Sequence, residues 1–185
     1  TYCPKITYRH VNVYSYWHPL FANRMKTFTG GYLPKVLRQG EYLIIDLAKI
    51  EVGFINFSAF AKEESDLVIA FSEYLNSDVF EFGKIDCENV LEYILTKGIH
   101  KIESFDVYTQ RYIAVFVKSG EIELGGVGVT TYEFNTDMIP LPSFNDQKLN
   151  AVYSAAVRTF AHNAVDLYTD CPSRERAGWL CDSYF

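Results

Sequence analysis

The chain is 185 residues long, room for one ordinary domain, or for one domain and the start of another. At 49% hydrophobic residues it can build a packed core, which argues against wholesale disorder, and no apolar run approaches the roughly 18 residues of a membrane-spanning helix. With 17 basic against 23 acidic side chains the net charge is −6, which argues against bulk attraction to nucleic acid. Aromatic residues make up 16% of the chain, a load that suits β-structure and surfaces that stack on sugars or bases.

Residues 1–39 carry Lys5, Arg9, Arg24, Lys26, Lys35 and Arg38 with no acidic residue, so every carboxylate side chain lies beyond them. Tyr2, Tyr8, Tyr14, Tyr16, Trp17, Phe21, Phe28 and Tyr32 are interleaved with these charges. Basic and aromatic residues in alternation can form a single-strand nucleic-acid track. Without a nucleic-acid module around it, the stretch is read instead as a linker or the remnant of a preceding domain, and no nucleic-acid partner is expected. Thr1 rather than Met opens the sequence, so the native N-terminus and any export signal are expected upstream. A periplasmic or secreted location is favoured over a cytoplasmic one.

From Gly40 to Phe134 the pattern is that of an antiparallel β-sandwich. The runs 41–47 and 51–60 are each expected to be strands; in the second, Ile55, Phe57 and Ala59 alternate with Asn56 and Ser58. A polar turn over 62–66 leads into an apolar run, 67–71. Val90–Leu95 fits either a strand or a short helix. Arg111–Val117 is apolar on both faces, as for a strand buried between layers. Ser119-Gly120 is a hairpin signal before the run 121–134, in which Gly125, Gly126 and Gly128 point to a bulge or a close backbone approach.

Residues 135–145 read as a linker, with Pro140 and Pro142 breaking any strand and Ser143 or Asn145 placed to cap a helix. From Asp146, apolar side chains at Leu149, Val152, Tyr153, Ala156 and Phe160 follow helical spacing. One such helix cannot bury its stripe alone, and the chain is expected to break off inside a second, helical domain, 146–185. The four cysteines, Cys3, Cys87, Cys171 and Cys181, include no close pair, and no metal or other cofactor is expected.

Residues 170–182 concentrate the chemistry, with three carboxylates (Asp170, Glu175, Asp182), two guanidiniums (Arg174, Arg176) and the indole of Trp179. Glycoside hydrolysis requires such a set: one carboxyl donates a proton to the leaving oxygen, and others hold sugar hydroxyls by charge-assisted hydrogen bonds. An indole packs on the apolar face of a sugar ring. On composition alone, a surface salt-bridge turn fits equally well.

The order of the residues is more specific. Asp170-Cys171-Pro172-Ser173-Arg174-Glu175-Arg176, then Gly178-Trp179 and Asp182, closely resembles the signature of bacterial α-L-rhamnosidases, inverting glycoside hydrolases built on a six-hairpin α/α barrel. Asp46 and Gly53, Ser72-Glu73 and Arg111-Tyr112 resemble, more weakly, positions in the β-sandwich that precedes that barrel. The chain departs from the pattern in two places. Many relatives read Arg-Asp-Glu-Arg where this chain has Arg174-Glu175-Arg176, and Cys181 stands where Gly is frequent.

The resemblance implies a mainly β fold: an antiparallel β-sandwich followed by the first helix of a truncated α/α barrel. It implies hydrolysis of terminal α-L-rhamnosyl linkages with inversion, Glu175 being the general acid. Asp170, Arg174 and Asp182 would bind rhamnose hydroxyls and Trp179 would wall the pocket. A carboxyl shielded by an indole tends to keep its proton, while Arg174 and Arg176 act in the opposite direction. The general base would lie in barrel helices outside this chain, Asp166 and Asp170 being poorly placed for that role. The expected partners are thus a rhamnose-containing oligosaccharide or glycoside and the remainder of the barrel, and the 185 residues alone should be inactive. The alternative is a non-catalytic carbohydrate-binding β-sandwich.

Overall fold

The structure, a computed structural model, describes residues 27–28, 34–76, 79–84, 87–136, 142–164 and 168–179. In chain order the strands are β1 (Thr27–Phe28), β2 (Lys35–Arg38), β3 (Tyr42–Ala61), β4 (Ser65–Ser72), β5 (Leu75–Asn76) and β6 (Val79–Phe80). They continue with β7 (Gly83–Lys84), β8 (Cys87–Glu88), β9 (Val90–Leu95), β10 (Gly98–Glu103), β11 (Tyr108–Ser119) and β12 (Glu121–Thr131). One helix, α1 (Gln147–Asn163), follows among the described residues. The expected antiparallel β-rich fold with a helix behind it is borne out, and Val90–Leu95 proves to be strand.

The long β3 organises the sheet. Its first half pairs with β11, and its second half lies between β12 and β10. Gly53 is the point of exchange, partnered by Tyr108 on β11 and by Thr131 on β12. A Cβ there would stand 2.1 Å from the Thr130 carbonyl oxygen, so the exchange requires a residue without one. The runs expected as separate strands, 41–47 and 51–60, are therefore one strand interrupted by a bulge. Asp46 pairs with Tyr112 and Glu51 with Gln110, leaving four residues of β3 opposite Arg111. Ala48 takes a left-handed φ of 68° in this bulge, and its amide donates to Asp46 Oδ1 at 2.8 Å. Arg111 donates to both oxygens of the same carboxylate, at 2.9 and 3.0 Å, and so holds the bulge from the opposite strand.

Because the sheet doubles over at β3, alternate side chains of β4 and β11 enter two different cores. Leu67, Ile69, Phe71, Ile113, Val115 and Val117 meet Ile55, Phe57, Leu95, Ile122 and Leu124 between the layers. Val68, Ala70, Tyr112, Ala114 and Phe116 pack on the other face beneath Phe80 and Phe82. This is the physical basis of the doubly apolar 111–117 run. Each large side chain removed from water in this way contributes about 1.5–3 kcal/mol.

Three boundaries differ from expectation. Ser119-Gly120 does not close a hairpin, since β11 pairs with β3 and β4 while β12 pairs with β2 and β3. The turn carries the chain from one layer to the other; a turn motif encodes a reversal, not the partner that follows. The sheet also extends upstream of residue 40, where Leu37 of β2 is buried and Lys35–Arg38 pair with Glu121–Leu124. The basic, aromatic-rich stretch otherwise lies mostly outside the described residues. In α1 the N-cap is Asp146, whose carboxylate accepts from the Lys148 amide at 2.8 Å, and not Ser143 or Asn145. Elsewhere the expected bulge is present, as a register shift between Leu124 and Gly126.

The apolar stripe of α1 stays open: Leu149, Val152 and Phe160 are exposed and only Ala161 of the helix is buried. Its C-terminal end is held by the chain after β12. The Phe134 amide donates to the Ala161 carbonyl at 3.0 Å, and His162 Nε2 lies 3.3 Å from the Glu133 carboxylate. Phe134 and Phe160 meet edge to face.

Candidate functional site

The segment 168–179 leaves α1 and turns back on itself. The Thr169 amide donates to the Asn163 carbonyl at 2.9 Å, which ties the segment to the helix end. Asp170 and Ala177 then close a loop by two hydrogen bonds. The Asp170 amide donates to the Ala177 carbonyl at 3.0 Å, and the Ala177 amide donates to Asp170 Oδ1 at 2.9 Å. The second bond, first among several causes, holds the Asp170 carboxyl below the usual aspartate value and so keeps it ionised at neutral pH. Residues 171–176 form the closed loop.

At the outer edge of this loop Glu175 accepts on both oxygens: from Arg174 Nη2 at 2.6 Å and from the indole Nε1–H of Trp179 at 3.1 Å. Its side chain is 42% exposed and Trp179 is exposed as well. The indole thus meets Glu175 with its polar edge, while about half of the residue is exposed to solvent. An exposed indole beside a carboxylate that accepts a charge-assisted and a neutral hydrogen bond is a suitable footing for a polyhydroxylated ligand.

At its inner edge the loop is fixed to the sandwich. Thr109 Oγ1 donates to the Pro172 carbonyl at 2.6 Å. Arg176, in a left-handed conformation at φ 49°, turns away from Glu175. Its guanidinium donates to Asp106 Oδ2 at 2.7 Å and to the Val107 carbonyl, and it lies over the Tyr108 ring, 5.9 Å from the centroid. Asp106 and Thr109 are contributions that reading the sequence missed. They lie 70 and 63 residues from their partners, and nothing in their own neighbourhood marks them.

Of the site residues expected from sequence, the structure brings Arg174, Glu175 and Trp179 together and places Asp170 at the base of the same loop. Asp182, Asp166 and Cys181 lie outside the described residues. Cys87 and Cys171 are free thiols, and no group of three metal-ligating side chains occurs among the described residues. No helix among them is long and apolar enough to cross a membrane.

A family described as the bacterial alpha-L-rhamnosidase 6 hairpin glycosidase domain matches residues 143–185, which include the whole 170–182 segment. No curated protein matches the chain. Among solved structures, a rhamnosidase from Klebsiella oxytoca with rhamnose bound is similar, with TM-score 0.66, 22% identity, and coverage of 79% of this chain and 31% of that one. The GH78 family rhamnosidase of Bacillus sp. GL1 gives TM-score 0.68 and 24% identity over 81% of this chain and 16% of its own. An α-L-rhamnosidase from Dictyoglumus thermophilum gives TM-score 0.54 and 16% identity over 79% of this chain and 17% of its own. At such identities these likenesses show the fold, and the chain spans less than a third of each of those proteins. Together with the match over 143–185, they bear out the resemblance to the bacterial rhamnosidases drawn from the sequence.

Proposed function

We propose that this chain supplies the β-sandwich and the acid-bearing edge of an inverting glycoside hydrolase acting on terminal α-L-rhamnosyl linkages. The observation that carries the reading is the 170–179 loop. Within a segment that matches the bacterial rhamnosidase six-hairpin glycosidase domain, it presents an exposed Glu175 hydrogen-bonded to the exposed indole of Trp179. Glu175 is the general acid that protonates the glycosidic oxygen. Arg174, now on Glu175, has hydrogen-bond donors to offer a sugar hydroxyl, and Asp170, ionised and with one oxygen held by Ala177, accepts from another. Trp179 and, beyond the described residues, Asp182 complete the sugar-binding set.

Inversion requires a second carboxylate roughly 6.5–9.5 Å from the acid, with a water between them. We assign that base to the remainder of the α/α barrel, so residues 1–185 alone are inactive. That the Klebsiella oxytoca protein was solved with rhamnose bound supports the choice of sugar.

The test compares the full-length protein with its Glu175→Gln variant on a panel of nitrophenyl glycosides, following the anomeric product by proton NMR. The expected result is hydrolysis of the α-L-rhamnoside with inversion, reduced about 10²–10⁴-fold in the variant. Retention of configuration would exclude the inverting mechanism, and full activity in the variant would move the proton donor elsewhere. A wild type that binds sugar without turnover would return the chain to a binding module.

A further inference from the structure

Arg176 belongs to the same short motif as Glu175, yet its side chain leaves the site. It reaches Asp106 and Val107 in the loop between β10 and β11. That loop is anchored in the sandwich core. The Ile55 amide donates to Ser104 Oγ at 3.0 Å, the Ser104 amide donates to the Ile55 carbonyl at 2.7 Å, and Ser104 Oγ donates to the Asp106 carbonyl at 2.8 Å. Ile55 and Ser104 are both buried, at 1% and 5% exposure. A continuous chain of hydrogen bonds therefore runs from the core of β3 through Ser104 and Asp106 to Arg176, the residue after Glu175. The Thr109–Pro172 bond makes a second tie on the other side of the loop.

The backbone points the same way. A left-handed conformation at a residue other than Gly is unfavourable and persists only where its surroundings over-determine it. At Arg176 the fork of the guanidinium on Asp106 and Val107 supplies that constraint. The contact contributes little to overall stability, because the arginine and aspartate side chains are 35% and 48% exposed. Its effect is on the position of Glu175.

We propose that Arg176 is a positioning residue, which through Asp106 uses the β-sandwich to set the location and orientation of Glu175. The proposal rests on the hydrolase reading above for its catalytic consequence, but not for the tether itself. The sandwich is then a working part of the acid's mounting. Misplacing a reacting group by about 1 Å can cost on the order of 100-fold in rate.

The test uses the full-length protein with Arg176→Asn, Arg176→Lys, Asp106→Asn and the double variant Arg176→Asn/Asp106→Asn. Asn tolerates the left-handed conformation, so Arg176→Asn reports the guanidinium and not the backbone. Asp106→Asn keeps an oxygen for the Val107 amide, which donates to Asp106 Oδ1 at 2.8 Å. Two readouts are taken: the kcat and KM for nitrophenyl rhamnoside, and amide hydrogen exchange over residues 170–179.

Arg176→Asn and Asp106→Asn should each lower kcat about 10–100-fold with KM nearly unchanged and speed exchange at the Ala177 amide. The double variant should be no worse than the more impaired single variant, because both remove one tether. Arg176→Lys should recover part of the loss, limited because an ammonium cannot reproduce the fork. Unchanged exchange in the single variants would overturn the proposal. So would a raised KM with unaltered kcat, which would place Arg176 on the sugar, and so would fully additive losses. A wild type inert on every glycoside, with exchange still accelerated in both single variants, would uphold the tether and overturn only the hydrolase reading.

Discussion

The sandwich and the segment from α1 to Trp179 bury their apolar residues very differently. In β4 and β11 both faces are enclosed, one by the facing layer and one by Phe80 and Phe82. In α1 the stripe predicted from spacing is present, but Leu149 and Val152 are exposed, and the contacts described with the chain after β12 lie near the helix end. Within the sandwich β4 and β11 are thus covered on both faces, whereas among the described residues most of the helix stripe is left uncovered. The candidate site lies between the two. Its loop grows from the helix but takes its fixed points, Asp106 and Thr109, from the sandwich.

Paired truncations break this comparison most sharply. Ile113 is fully buried, and Ile113→Ala should cost about 2–5 kcal/mol in chemical denaturation, counting both lost burial and the cavity left behind. Val152 is 65% exposed, and Val152→Ala measured on residues 1–185 should stay within about 0.5 kcal/mol. A comparable loss at both positions would mean that α1 is covered within this chain. If Val152→Ala turns costly only in the full-length protein, the helix acquires its core there.

A smaller effect is expected at the exchange point of β3. Gly53→Ala places a methyl group against the Thr130 carbonyl, and the strand cannot yield without disturbing either the β11 or the β12 ladder. A loss of about 1–3 kcal/mol is expected by the same denaturation assay, with the helix signal in circular dichroism preserved.

Acid titration sharpens the comparison within the sandwich. The hydrogen bonds from Arg111, ahead of the other causes, hold the Asp46 carboxyl below the ordinary aspartate value. The folded state then binds fewer protons than the unfolded chain, so this stabilisation is complete above about pH 4 and is lost as pH falls through the lowered folded value. Asp66 runs the other way, its carboxyl raised chiefly by burial, so its contribution improves as pH falls and is lost as pH rises through the raised folded value. Melting temperature against pH should therefore show a shallower acid limb in Asp46→Asn than in wild type, and a steeper one in Asp66→Asn. Parallel limbs in all three proteins would mean that neither carboxylate governs acid stability.

Local patterns were legible wherever the responsible forces act over a few residues. The alternation at Ile55, Phe57 and Ala59, the doubly apolar 111–117 run and the helical spacing after Asp146 each recur in the structure as predicted. The clustering of Arg174, Glu175 and Trp179 was equally readable, because the six residues from Arg174 to Trp179 contain both of the hydrogen bonds described among them. The N-cap was misjudged by a few residues because Ser, Asn and Asp compete for one amide, and only the path of the preceding chain selects among them.

The sequence by itself determined that the runs 41–47, 51–60, 67–71 and 111–117 are extended, which side chains of 51–60 are buried, and that carboxylates, guanidiniums and an indole crowd into 170–182, since side-chain period and motif spacing are properties of neighbouring positions. Tertiary structure alone decided that β3 serves two layers, that β11 and β12 part company after Ser119-Gly120, and that Arg176 is held by Asp106. These outcomes depend on contacts between residues far apart in the chain. Many pairings of similar strands satisfy the same local pattern, and the choice among them comes from how the whole set of apolar faces can be closed at once.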